Sequence, residues 1–329
     1  MKRVVAYVLV FSLLLSVTLS LTGCAEKATD FPDSSIDNGY YNYIAGGNMA
    51  SVDGSLYLNL IADVLYMGTF KVSSDTNDLL LDDHINFDIF EDAPSIYQLG
   101  DDLYFTDPDY TEFYKFYMFD KKTDSLSDEA LDFNLGLGIC YMSEELDVCM
   151  SNDREHLLVK YKDNDEIALD ETVSAFDVYD SKIYFINHDG WLYVNDPTKL
   201  KTESEFLSEL NYNGVLTKML VCNGHCYFTD SGSDASSGED GLYRYSLEND
   251  TIELVLQEEV LSMNVQGDKV YFATEKGVYV DDSKNCEKFS NKKAHEIYVF
   301  DDEWVYLYNT EKGKVIRISS DGSVTQKIG

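Results

Sequence analysis

One short pattern recurs along this chain and constrains its fold more than any other feature. An apolar strand runs into a turn of Gly, Asp, Asn or Ser, and the next strand carries an apolar residue, Tyr, then an aromatic or aliphatic residue. The copies read Asp53-Gly54-Ser55-Leu56-Tyr57-Leu58, Gly100-Asp101-Asp102-Leu103-Tyr104-Phe105, Asp180-Ser181-Lys182-Ile183-Tyr184-Phe185, Asn223-Gly224-His225-Cys226-Tyr227-Phe228, Gly267-Asp268-Lys269-Val270-Tyr271-Phe272 and Asp301-Asp302-Glu303-Trp304-Val305-Tyr306. A degenerate copy, Ser143-Glu144-Glu145-Leu146-Asp147-Val148, has Asp where the others have Tyr. Successive marker positions lie 35 to 47 residues apart, about 41.5 on average. Such a period means stacked units, each too small to bury its apolar face alone.

The rest of each unit is also β. Gly241-Leu242-Tyr243-Arg244-Tyr245-Ser246, a turn at Glu248-Asn249-Asp250 and Thr251 to Leu256 form a second hairpin in one unit, and Val315 to Ile328 repeats it in the last. Alternating apolar and polar residues rich in β-branched and aromatic types say strand. About 40 residues is the size of one four-stranded blade, so the chain is predicted to be all-β, a seven-bladed β-propeller with six blades as the alternative. The Tyr and Phe then serve mainly as packing between blades. Residues 40–329 are expected to form this domain, with Tyr40 to Ile44 supplying a strand that closes the ring. Lys199 to Leu210 is read as a short surface helix or an irregular outer strand.

The first residues carry a separate signal. Met1-Lys2-Arg3 is basic, Val4 to Leu21 is uncharged and apolar, and Leu21-Thr22-Gly23-Cys24 ends the run. That is the layout of an export signal. Leu-Thr-Gly-Cys resembles the lipobox of bacterial lipoprotein precursors, which implies removal of residues 1–23 and acylation of the Cys24 thiol. The resemblance places the mature chain on the outer side of the cytoplasmic membrane, held by lipid. A single acyl chain anchors only marginally, at about 0.8 kcal/mol per buried CH₂, so stable residence needs two or more. Residues 24–39 are read as the lipidated cysteine and a flexible tether.

Acidity narrows the partners. Sixty acidic residues against 25 basic ones set a net charge of −35, which excludes nucleic acid as a partner. Cations, basic peptides and amine-bearing ligands are compatible with it. Besides Cys24 there are five cysteines, Cys140, Cys149, Cys222, Cys226 and Cys286, and an odd number cannot all pair within one chain. Cys222-Asn223-Gly224-His225-Cys226 admits a cross-hairpin disulfide or part of a metal site. Cys226 stands where other repeats carry an apolar strand residue, so reduced thiols are the expectation.

Two marker strands, Tyr104-Phe105-Thr106-Asp107 and Tyr227-Phe228-Thr229-Asp230, share a further signature, and Tyr184-Phe185-Ile186-Asn187 is a looser copy. They resemble the Tyr-Trp-Thr-Asp repeats of low-density-lipoprotein-receptor-type propellers, with Phe for Trp. A lipobox followed by such repeats resembles bacterial lipoproteins with a receptor-like propeller domain of unknown function. The resemblance covers most of residues 45–329 and implies no catalytic residues. It departs in blade number, since the receptor type has six.

In a propeller, loops joining second to third strands emerge on the same end as the connections between blades. Here those loops are acidic, and the longest runs from Asp230 to Asp240. Loops on a rigid scaffold are where binding concentrates. The expected recognition face therefore draws on Asp107, Asp109, Asp189, Asp230, Asp234 and Asp240. No cofactor is expected; Ca²⁺ is the one cation weighed, through Asp230, Asp234 and Asp240 or through Asp107, Asp109 and Glu112, neither of which follows the EF-hand pattern. No nucleophile elbow, His-Glu-x-x-His or phosphate loop occurs. The reading is a membrane-anchored, non-enzymatic binding or scaffold module for a protein or peptide, and the alternative is a glycan-acting hydrolase or lyase using paired carboxylates.

Overall fold

The computed structural model describes residues 38–63, 65–73, 84–85, 94–107, 115–123, 125–127, 140–143, 145–151, 155–210, 215–231 and 240–328. Their strands form seven four-stranded antiparallel sheets, each built from four strands consecutive in the chain. The sheets are the blades of a seven-bladed β-propeller, as the repeat count predicts. The first strands of blades 1 to 7 are Met49–Val52, Ser95–Leu99, Cys140–Met142, Ala175–Tyr179, Val215–Cys222, Ser262–Gln266 and Glu296–Val299. Every marker residue lies in the second strand, including Asp147 in Leu146–Met150.

The turns between first and second strands explain the Asp-Gly, Asp-Ser and Asn-Gly pairs. Asp53 and Gly54, Asp180 and Ser181, and Asn223 and Gly224 all have positive φ at both positions, between 47° and 72°. Two consecutive positive values define the type I′ turn, whose twist matches that of the flanking strands. Short polar residues and Gly adopt it at least cost.

The buried apolar residues fall into seven clusters, each spanning two neighbouring blades. Tyr184 packs toward blade 5 and the next residue, Phe185, toward blade 3, because successive strand residues face opposite sides. The core is thus a circle of seams, and each blade depends on both neighbours. A Phe–Tyr cross-strand stack recurs at one place in three blades: Phe185–Tyr193, Phe228–Tyr243 and Phe272–Tyr279, with centroids 5.3 to 5.9 Å apart and planes within 16°.

The seam between blades 7 and 1 closes the ring, and it does so mainly through side chains. Met49, Leu56, Leu58 and Val72 pack against Tyr298, Tyr306, Tyr308 and Ile328. Tyr308 donates its hydroxyl toward the carbonyls of Asn59 and Ile61, and Tyr298 accepts from the Asn48 amide. An isolated bridge joins Ala62 to Lys312. The expected closing strand at Tyr40 to Ile44 is corrected: Gly39–Ile44 is a one-and-a-half-turn helix, α1. Lys199 to Leu210 resolves into a 3₁₀ turn, Pro197–Lys199, and the outer strand Glu205–Glu209.

Candidate functional site

Helix α1 fills the middle of the ring. Its residues reach the first strands of all seven blades, which only a segment on the ring axis can do. Tyr43 stacks edge-on against Tyr97 of blade 2, and Tyr40 against Tyr141 of blade 3. The Tyr40 hydroxyl donates to the Phe176 carbonyl of blade 4 at 3.1 Å. Tyr41 packs into the cluster containing Leu220 and Cys222 of blade 5. The Asn38 side-chain amide donates to the Val265 carbonyl of blade 6 at 2.7 Å.

The chemistry of that fit follows from what a propeller lacks. A first strand pairs on one edge only, and an unpaired buried backbone group is costly. Asn42 answers this in blade 7 as a missing strand would: its amide nitrogen donates to the Val299 carbonyl at 2.9 Å, and its oxygen accepts from the Val299 N–H at 3.0 Å. The same oxygen accepts from Asn264, which also bonds the Ile297 carbonyl. Asn42 is 4% exposed and Asn264 0%.

Two carboxylates meet this segment from the ring wall. Asp177, fully buried in the first strand of blade 4, accepts from the Val221 N–H at 2.5 Å, the Val178 N–H at 2.7 Å and the Tyr41 hydroxyl at 3.3 Å. Loss of hydration outweighs those donors and pushes its carboxyl up to about 8. Glu296, in the first strand of blade 7, accepts from the Asn48 side chain at 2.9 Å and from the Tyr298 hydroxyl. Part of Glu296 faces solvent, yet its carboxyl lies among neutral groups and burial pushes it up to about 7. Neither residue was singled out in the sequence. The available signals were an Asp inside the strand Ala175–Tyr179 and an uncharged run, residues 38–48, in a chain that is 26% charged.

The chain runs through the ring in one direction. Asn38 lies beside Val265, close to the turn at Gly267, whereas Ala45 accepts from Ser262 at the opposite end of the same strand. Gly47 accepts from Ile96 near the start of the blade 2 strand. Asn38 therefore stands at the tight-turn end of the ring, and the second-to-third loops emerge at the other end.

That loop end carries the expected acidic residues that can be placed. Asp107 closes the second strand of blade 2, opposite Lys115. Asp189 is exposed in a loop whose shape is set by Asn187, which accepts from the Asp189 and Trp191 N–H groups. Asp230 ends on the base of the longest loop, paired with Gly241, and Asp240 is exposed beside it. The structure brings these four to one end of the ring but spreads them over blades 2, 4 and 5. Asp109, Glu112, Asp234 and Cys24 lie outside the described residues. Acidity is not peculiar to that end, because Asp53, Asp101 and Glu145 are exposed at the turns. Among the described residues no cluster of three or more His, Cys, Asp or Glu is placed to hold a metal ion.

Cys222, Cys226 and Cys286 are free thiols. Cys226 packs in the seam between blades 4 and 5, and burial pushes Cys222 up to about 12 and Cys286 up to about 11. A concavity of about 280 Å³ opens at the turn end of blade 4, lined by Lys182, Asn195, Lys199, Lys201 and Glu203. It carries both signs of charge.

These features define the protein as a seven-bladed β-propeller whose channel is filled by its own N-terminal segment. Comparison with solved structures finds the same fold. YCF48, solved bound to D1 peptide, superposes with a TM-score of 0.51 at 13% identity over 82% of this chain and 90% of that one. The extracellular domain of a one-component system from B. thetaiotaomicron has a TM-score of 0.51 at 12% identity over 80% of this chain and 36% of that one. At such identities the likeness is one of fold. No family model and no curated protein matches the sequence.

Proposed function

We propose that the protein is an extracytoplasmic lipoprotein, anchored through Cys24, whose propeller binds a protein, peptide or cationic partner at its loop end. The observation that supports a binding module is the filled channel. A glycan-cleaving enzyme of this fold would use an open central pocket lined by carboxylates, and here the two channel carboxylates, Asp177 and Glu296, lie against α1 and neutral hydrogen-bond donors. The loop end offers instead exposed Asp189 and Asp240, with Asn38 at the opposite end of the channel. YCF48, a propeller solved with a bound peptide, is a precedent of fold for such use. The reading needs no cofactor.

The test is crosslinking and affinity capture from native membranes, with three proteins side by side. Cys24→Ala should move the protein from the membrane to the soluble fraction. Shortening the 231–239 loop together with Asp189→Asn and Asp240→Asn should remove the captured partner while the circular dichroism of the ring is unchanged. Undiminished capture by that folded variant would sink the loop-end assignment.

A further inference from the structure

Residues 38–48 contain no charged side chain, and the ring holds them by neutral hydrogen bonds and aromatic contacts. Asp177 lies against Tyr41, and Glu296 lies against Gly46 and Asn48 at the loop end. The groups facing Asp177 are Tyr41 from α1, Cys222 from the first strand of blade 5 and Cys226 from its second strand. Those facing Glu296 are Tyr298 on its own strand, Tyr308 on the next strand and the Asn48 amide. None of these is a cation. While the segment is seated, a charge on Asp177 is therefore compensated by dipoles alone and one on Glu296 by dipoles and its limited contact with solvent; once the segment withdraws, water compensates both.

We propose that residues 38–47 are a releasable plug in the channel, seated while Asp177 and Glu296 carry protons and loosened when both give them up to solvent. A carboxyl that holds its proton more tightly in the seated form stabilises that form below the ordinary carboxylate range. The contribution falls as pH rises and is gone above the seated-state value. With Asp177 at about 8 and Glu296 at about 7, the loss begins in the ordinary carboxylate range and is complete by those values. Withdrawal frees the backbone edges of Val299, Val265 and Phe176 that Asn42, Asn38 and Tyr40 occupy. It also adds about 35 Å of extended chain to the segment preceding the ring. The plug reading starts from the same seated segment as the proposed function, and its exchange test is separate from the capture test of the loop end.

Amide hydrogen exchange on the full chain tests it. The N–H groups of Asn42, Ala45 and Gly47, bonded within the plug, are followed beside Tyr271 and Leu307 in the blades. From pH 6 to pH 9, after correction for intrinsic exchange, protection of the plug amides should fall by roughly tenfold or more relative to the blade amides, one factor of ten per pKa unit of differential binding. The Asp177→Asn/Glu296→Gln pair should abolish the excess fall. Because Asn at 177 must turn an NH₂ toward one backbone N–H and can impair folding, Glu296→Gln alone is the second arm. Its amide keeps partners in Asn48 and Tyr298, and it should remove the share of the fall that lies below about pH 7. Plug amides that track the blade amides throughout, or an unchanged profile in Glu296→Gln, overturn the proposal.

Discussion

Buried side-chain amides and hydroxyls, rather than apolar surface alone, decide how this ring holds together. Tyr57, Tyr97, Tyr227, Tyr271, Tyr298, Tyr306 and Tyr308 are among the largest fully buried side chains, and each can span a seam while its hydroxyl finds a polar partner. Tyr97 accepts from the Met142 N–H of the next blade, and Tyr308 reaches Asn59 and Ile61 across the closing seam. The repeat exposed four of these, Tyr57, Tyr227, Tyr271 and Tyr306, which hold marker positions, whereas Tyr97, Tyr298 and Tyr308 lie outside them. Asn42 was illegible, because its partner Val299 is 257 residues away. Asn42→Ala should leave the Val299 N–H and C=O unsatisfied and cost about 2–3 kcal/mol, at roughly 1–3 for each buried group before relaxation. Urea unfolding at fixed pH reads this, and a cost within about 0.5 kcal/mol would refute the strand-mimic role.

Elements in this molecule are specified locally at their turns and non-locally at their sides. The type I′ turn at Asn223-Gly224 is written in two adjacent residues, which is why the hairpins were readable. A Cβ on Gly224, at φ +72°, would meet nothing within 4 Å, so Gly224→Ala should cost only the backbone term, about 1 kcal/mol. Gly277, at φ +137°, is different: a Cβ there would lie 2.4 Å from the Ser290 carbonyl of the neighbouring strand. Gly277→Ala should cost appreciably more, about 2–4 kcal/mol, since backbone must move. Denaturant midpoints of the two variants, compared directly, test the distinction; equal losses would contradict it. The helix α1 marks where local reading failed. Six residues rich in Tyr and Asn carry no strong helix signal, and their uncharged, aromatic character fitted a closing strand equally well. Their helical form depends on the channel around them.

For the whole molecule, charge and burial act in the same direction on stability. Asp177 and Glu296 are held above the ordinary carboxylate range, so their contribution is complete in acid and is lost as pH rises through about 7 and 8. The net charge of −35 adds repulsion over the same interval. Against this, Glu258 and Glu311, held low chiefly by hydrogen bonds to Thr274, Lys276 and Lys293, contribute stability that disappears as pH falls below their own range. Maximum stability should lie in the ordinary carboxylate range, at about pH 4–5, with a Tm several degrees higher at pH 5.5 than at pH 8.5. Added salt should narrow chiefly the part due to repulsion, because Asp177 is fully buried and Glu296 meets solvent only in part. Thermal melts over pH and salt decide it, and a Tm that rises from pH 5.5 to 8.5 would reverse the argument.

The order of units, their number, the second-strand place of each Tyr and the loops of each blade were all present in the sequence, because each depends on residues within one period of about 40. The direction of travel through the ring, the seating of α1 and the meeting of Asp177 with Tyr41 were settled only in three dimensions. They join residues 136 positions apart, whose proximity exists only after seven blades have closed around an axis. A period fixes what each blade is; closure fixes what the space between them can hold.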